Sequence, residues 1–179
     1  MSLTHLPEHA ANALLALDLA ERESRQLEYT LQTLFGQPID QDWVNRLPDH
    51  PERAEKIDAF VSRFGRLQDH IGEKLIPRFS VLMGERTKSL LDTLAHAERM
   101  GWVENAEAFI GSRKLKNQLI HEYMTDPSMF LEALLTAKEA SRLLLDVVVR
   151  MRRRAEALNL RNGTPAAESP APRTGPYRS

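Results

Sequence analysis

A chain of 179 residues with a formal net charge of −1 has no overall field that would attract nucleic acid or an anionic membrane. Any recognition of phosphate must therefore come from a local cluster of cations. The sequence contains no cysteine, which excludes disulfides, thiolate metal sites and cysteine nucleophiles.

The cellular location is predicted from what the sequence lacks. No apolar run approaches the roughly 20 residues that span a bilayer. The first residues, MSLTHLPEHA, contain neither a basic leader nor an apolar segment. A chain without cysteine also suits a reducing compartment. We therefore expect a cytoplasmic protein with no membrane partner.

The apolar residues recur at helical spacing, and β-branched residues are few. A first helix is expected over about 7–34, where leucines repeat at i, i+4 and i+7 until a Gly-Gln-Pro sequence ends it. A second helix is expected to begin near Pro51. Pro77 should kink or end this helix, with a bent continuation beyond it.

Three further helices are expected in the rest of the chain. One covers about 88–100 and stops at Gly101, and the next covers about 105–123 and is ended by an Asp-Pro pair. The last begins with Ser128 as its N-cap and reaches about residue 158. Short connections favour antiparallel neighbours, so the predicted fold is an all-α antiparallel bundle of about five helices.

Composition divides the chain into three predicted segments. Residues 1–48 hold an N-terminal helix and a connector, and residues 49–158 hold the main helical bundle. Residues 159–179 are rich in proline, alanine, serine and glycine and lack a core pattern. We expect this last segment to be disordered.

The fourth predicted helix carries the chemistry, in the sequence SRKLKNQLIHEYMTDP. Each helical residue turns about 100°, so Arg113, Asn117 and His121 line one ridge, while Leu115 and Leu119 lie on another that can face the core. Histidine exchanges protons near neutral pH, and arginine binds phosphate. A cation and an imidazole beside a phosphodiester are sufficient for metal-free RNA cleavage, in which the ribose 2′-hydroxyl attacks its own phosphorus.

Other candidate residues surround this ridge. Asp69 and Arg66 of the second helix would support the site across the bundle, or else form a solvated face or an internal ion pair. Isolated His70 and His96 are expected to have ordinary structural roles. The arginine run at 150–154 complements the dipole of the last helix, with guidance of RNA phosphates as the alternative. No cluster has metal-ligand spacing, so no metal or cofactor is expected.

The sequence RKLKNQLIHEY at 113–123 resembles the signature of the HEPN superfamily of helical bundles, and is most similar to the HepT-like toxins of prokaryotic toxin–antitoxin pairs. Their motif reads Arg-Asn, three residues, His, any residue, Tyr. Asn117, His121 and Tyr123 match it in register, and Lys116 stands at the arginine position. The resemblance covers about residues 50–155.

The resemblance implies a HEPN-like four-helix core plus an N-terminal helix, and a homodimer whose motif helices form one composite, metal-independent ribonuclease site. His121 would be the general base or acid, and Asn117 would orient it or the RNA. A minimal nucleotidyltransferase would act as the antitoxin. In some pairs this partner adds AMP to the motif tyrosine, which here is Tyr123.

The departure at Lys116 leaves alternatives open. Arginine offers a planar bidentate fork, whereas lysine is a single hydrated point charge. We hypothesise that Arg113, one turn away, supplies the missing guanidinium. A second interpretation is a non-catalytic helical subunit that presents substrate to, or regulates, a nucleotidyltransferase. A third is a plain helical dimerisation module.

Overall fold

The computed structural model of the chain describes residues 5–123 and 125–160, and these contain no β-strand. The predicted all-α fold is confirmed. The elements are a 3₁₀ turn at Pro7–His9, α1 (Ala10–Phe35), α2 (Gln41–Asn45), a 3₁₀ turn at Leu47–Asp49, α3 (Pro51–His70), a π-helical turn at Ile71–Leu75, α4 (Ile76–Leu82), α5 (Leu90–Arg99), α6 (Ala106–Glu122) and α7 (Pro127–Ala157). Apart from its first two residues, the predicted tail at 159–179 lies outside the described residues. None of the described helices has the length and apolar content that a membrane span requires.

Four long helices form a ring in which α1 packs against α3 and α7, and α6 packs against the same two helices. Helices α1 and α3 run antiparallel, because His70 contacts Ala16 whereas Arg63 contacts Thr30. The same reversal relates α3 to α6, α6 to α7, and α7 to α1. The four helices therefore form an antiparallel bundle, with α1 and α6 on one diagonal.

Apolar side chains from all four helices fill the centre of the ring. Phe60, Phe64, Phe109 and Phe130 are completely buried. Burial of one such side chain stabilises the fold by about 1.5–3 kcal/mol. The largest buried contributions of α1 are Leu17, Leu27 and Leu34. Helix α1, which the sequence-based division sets apart from the main bundle, is thus integral to the packing.

Helical structure continues past Pro77 as far as Leu82. Proline has no N–H to donate, and its ring crowds the carbonyl four residues earlier in an α-helix. The π-helical turn lies directly before it, and there the N–H of Ile76 donates to the carbonyl of Ile71, five residues back. This wider spacing accommodates the proline without ending the helix.

The start of α7 differs from the sequence-based prediction. Asp126, not Ser128, is the N-cap: it has an extended backbone, and its carboxylate accepts hydrogen bonds from the N–H groups of Ser128 and Met129. The prediction was wrong because Pro127 fits the first helical position, where an N–H is unpaired in any case, and this moves the cap two residues back, from Ser128 to Asp126. The predicted stop at Gly101 is confirmed by its positive φ of 73°.

Candidate functional site

The ridge on α6 faces away from the bundle. Arg113, Asn117 and His121 are all exposed, whereas Leu115 and Leu119 are buried as predicted. The buried leucines fix the rotation of α6 and thereby present the three polar side chains on one outward face. Across the described ranges, no side chain hydrogen-bonds to the imidazole of His121.

Lys116 lies beside this ridge and is turned towards α3. Its Nζ donates to Oδ1 of Asp69 at 2.6 Å, and its side chain is only 18% exposed. The aliphatic part of the lysine lies over Gly65, where an added Cβ would come within 2.9 Å of the lysine Cδ. Packing against Gly65 and the hydrogen bond to Asp69 together hold the ammonium of Lys116 at the side of the ridge.

Arg66 is not brought to the α6 ridge. Its guanidinium donates to Glu23 and Gln26 of α1 and to Ser62 one turn earlier in α3. Of the two supporting residues proposed from the second helix, the structure brings Asp69 to the motif and directs Arg66 towards the opposite side of α3.

Tyr123 follows the last residue of α6 and is half-buried. Its ring packs edge-on against Phe130, with 5.1 Å between ring centroids. Burial raises the pKa of the Tyr123 phenol, and the negative charge of Asp58 raises it further. The phenol is therefore neutral at physiological pH. It borders a mostly apolar cavity of about 600 Å³, lined by Val44, Asn45, Leu47, Pro48, Pro51, Ala54, Tyr123 and Pro127.

Most of the remaining candidates have structural partners, whereas Nε of Arg154 is buried without a hydrogen-bond partner among the described residues. Nε2 of His70 donates to the carbonyl of Ala16, and Nδ1 of buried His96 hydrogen-bonds to the hydroxyl of Ser80. In the arginine run, Arg150 pairs with Asp146 and Glu104, and Arg152 pairs with Asp18 and Glu21. These ion pairs occupy the two arginines within the molecule.

Two residues of the site were missed in the sequence. Gly65 was not singled out, although a glycine inside the apolar stripe of a helix signals a close approach. Ile120, next to His121, leaves 59% of its surface exposed and gives the outward face of α6 an apolar contact. The sequence feature that could have identified Ile120 is its position on α6, away from the ridge of the buried leucines.

The residues brought together on α6 and α3 are thus an exposed imidazole, amide and guanidinium, flanked by a lysine–aspartate pair. Within 5–123 and 125–160, no three histidine or acidic side chains are grouped closely enough to hold a metal ion. Comparisons of the chain with protein-family models, with curated proteins and with solved structures find no match.

Proposed function

We propose that this chain is a HepT-like toxin of the HEPN superfamily: a cytoplasmic, metal-independent endoribonuclease that acts as a homodimer. The composite site would form where the α6 helices of two copies meet. A minimal nucleotidyltransferase would neutralise the toxin as its antitoxin. The single observation that supports this proposal most is the outward face of α6, which presents His121, Asn117 and Arg113 together on a helix fixed by buried leucines.

The proposed reaction needs only groups of this kind. One imidazole takes the proton of the ribose 2′-hydroxyl, and the 2′-oxygen attacks the adjacent phosphorus. The bond from phosphorus to the 5′-oxygen breaks, and this oxygen receives a proton from the imidazole of the second copy. The products are a 2′,3′-cyclic phosphate and a 5′-hydroxyl. A nearby guanidinium stabilises the negative charge that builds on the phosphoryl oxygens.

Charge pairing favours Arg113 over Lys116 as that cation. The ammonium of Lys116 is neutralised by Asp69 at 2.6 Å, whereas Arg113 is exposed on the ridge of His121. A guanidinium also binds two phosphoryl oxygens at once. In this proposal the ion pair of Lys116 and Asp69 holds α6 against α3 at the edge of the site, and Arg113 contacts the phosphate.

The exposed Ile120 supports a contact between copies at this face. An isoleucine with 59% of its surface exposed, one residue from His121, would be buried when two α6 helices meet. Ile120→Asp should give a folded monomer without ribonuclease activity, because the charge opposes burial. Sedimentation equilibrium and circular dichroism test the two parts. A dimer that survives this substitution would place the interface elsewhere.

The principal experiment is RNA cleavage by the purified full chain in the presence of EDTA. His121→Ala should lower the rate at least about 100-fold, since loss of a general acid or base costs that much. His9→Ala, at the other end of the bundle, is the matched control and should cleave like the wild type. A His121→Ala protein that retains cleavage would refute the proposal.

The role of Arg113 has its own test. Arg113→Ala should lose at least as much activity as Lys116→Ala, because only the first removes a cation that is not already paired. Arg142→Ala, an exposed arginine on α7 paired with Glu139, controls for the lost charge. Full activity in Arg113→Ala would overturn the assignment.

A second function is favoured by one observation, the neutralised lysine at the motif arginine position. In this alternative the chain is a non-catalytic subunit that binds substrate for, or regulates, a nucleotidyltransferase. Expression of the wild type in a bacterium would then be harmless, and EDTA-treated protein would leave RNA intact. The ribonuclease proposal expects growth arrest that His121→Ala relieves.

A further inference from the structure

A groove between α1 and α3 carries a concentration of arginines that the proposed ribonuclease site does not use. It measures about 370 Å³ and is lined by Arg22, Arg25, Gln26 and Tyr29 of α1 and by Arg63 of α3. The four α1 residues stand at i, i+3, i+4 and i+7, so they form one stripe along the helix. We name these five residues the arginine groove.

Among the residues that the structure describes, no carboxylate forms an ion pair with the arginines of this groove. No carboxylate lines it, and Arg63 donates to neutral oxygens, the carbonyl of Gln26 and the hydroxyl of Thr30. Neither Arg22 nor Arg25 forms an ion pair with a residue that the structure describes. Both remain exposed and available to an anion.

Two neighbouring carboxylates of α1 are paired with arginines outside the groove. Glu21 pairs with Arg152, and Glu23 pairs with Arg66. Arg152 lowers the pKa of Glu21, chiefly through a hydrogen bond, and the charge of Arg25 lowers it further. Glu21 and Glu23 are therefore poor competitors for the groove arginines, and the exposed Glu28, three residues after Arg25, lies outside the lining of the groove.

Tyr29 adds an aromatic surface to the same stripe. It is 64% exposed, although a tyrosine of this size is usually half-covered or more. Its ring stands one helical turn from Arg25, where it offers a flat face beside a guanidinium. Sites for single-stranded nucleic acid combine two parts. Cationic side chains bind the phosphate backbone, and an exposed aromatic ring stacks on a base.

We propose that the arginine groove binds single-stranded RNA, with phosphates on Arg22 and Arg25 and a base on Tyr29. The choice of RNA rests on the proposed function, because the same strand would extend to the α6 site. Arg63 precedes Gly65 by two residues, and Gly65 lies against Lys116, so groove and motif are at a similar height on opposite sides of α3. The arginine groove would hold another part of the same strand, across α3 from the reacting phosphate.

The test measures fluorescence anisotropy of a labelled single-stranded oligoribonucleotide with the full chain. All variants carry His121→Ala so that the probe is not cut. The double variant Arg22→Gln/Arg25→Gln should weaken binding at least 10-fold at 0.1 M salt. It should also lower the slope of log affinity against log salt by about 1.4, since each lost phosphate contact on a single strand removes about 0.7.

Matched variants separate stacking from charge. Tyr29→Ala should weaken binding about 5-fold or more without changing the salt slope, and Tyr29→Phe should bind normally because the ring is kept. Arg46→Gln/Arg142→Gln removes the same charge from two exposed arginines elsewhere and should bind normally. Competition by inorganic phosphate as effective as by unlabelled RNA, at equal ionic strength, would reduce the groove to an anion site and overturn the inference.

The two proposals fail in different ways. Normal RNA binding by the groove double variant overturns the arginine groove, and leaves the ribonuclease standing if the chain with native His121 still cleaves. Groove-dependent binding without any His121-dependent cleavage upholds the arginine groove and removes the ribonuclease. Circular dichroism of each variant checks that the helices are intact.

Discussion

At the scale of single residues, Gly65 determines how closely α3 approaches the lysine of α6. Alanine at this buried position would bring its Cβ to 2.9 Å from the Cδ of Lys116, so the lysine side chain that binds Asp69 has to shift. We expect Gly65→Ala to destabilise the fold by about 1 kcal/mol, because the overpacking outweighs the gain in helix propensity.

Gly111 provides the matched control for this prediction. It also lies inside a helix, but an added Cβ meets nothing within 4 Å. Gly111→Ala should therefore stabilise the fold by about 0.5–1 kcal/mol. Urea unfolding of the two variants measures both effects, and two changes of the same sign would contradict the role given to Gly65.

His96 makes the stability depend on pH. It is buried against Ser80 and Trp102, and burial lowers its pKa below the ordinary 6.5, opposed by Glu85 and assisted by Arg99. The unfolded chain binds a proton at this histidine more readily than the folded chain. The stability that the folded chain gains from keeping His96 neutral is therefore fully present above about pH 6.5. It is lost as the pH falls below that value.

The measurement is the free energy of unfolding between pH 7.5 and 5.5. It should fall more steeply in the wild type than in His96→Gln, which has no group to titrate there. Equal slopes in His96→Gln and the wild type would contradict the assignment.

The sequence predicts those parts of the candidate site that lie on one helix. The spacing of Arg113, Asn117 and His121 places them on a common outward face, as the structure has them. The neutralisation of Lys116 could not be predicted, because it depends on how α3 is rotated against α6. Helical periodicity contains no information on that rotation, although it marked Asp69 as a residue that can reach across.

At the scale of elements, the start of α7 shows why caps are harder to predict than helices. Both Asp126 and Ser128 are good N-cap residues, and only the position of Pro127 in the first turn decides between them. Asp126→Ala should lower the Tm by several degrees, because two backbone N–H groups lose their acceptor. Ser128→Ala should change it little. Thermal unfolding tests this order, and the reverse order would restore the serine cap.

The passage from α3 to α4 was predicted only in part. A proline inside an apolar helical pattern indicates a disturbance, and the continuation to Leu82 follows the pattern of the apolar residues. The π-helical form of the turn at Ile71–Leu75 has no signature in the sequence. It results from the need to keep the apolar residues on both sides of Pro77 facing the same core.

At the scale of the whole molecule, α1 is one of the four walls of the core. A chain that begins at residue 49 would expose the apolar faces of α3 and α7, so we expect it to remain unfolded or to aggregate. Circular dichroism and thermal unfolding test this directly. A cooperative transition at the Tm of the full chain would show that α1 is dispensable.

A pair of substitutions tests the same point without truncation. Leu17 of α1 is completely buried, and Leu15 of the same helix is exposed. Leu17→Ala should cost about 2–5 kcal/mol of unfolding free energy, because it leaves a cavity between helices. Leu15→Ala should cost less than about 0.5 kcal/mol.

The all-α class and the approximate ends of the helices follow from periodicity, glycine and proline alone. The order of the helices around the ring does not follow from these features. A sequence with four apolar stripes fits a ring in which α1 adjoins α6 as well as one in which it lies across from it. Contacts such as that of Asp69 with Lys116 select the second arrangement, and these depend on three-dimensional packing.

The backbone hydrogen bond from Leu6 to the carbonyl of Leu82 fixes the entry of the chain at the pole where α4 ends. His121 and Tyr123 occupy the opposite pole, beside the first turn of α7. A linker attached ahead of Leu6 would therefore immobilise the protein with its α6 motif pointing away from the support. Surface-based measurements of RNA capture or of copy-to-copy association can use this orientation without masking either partner.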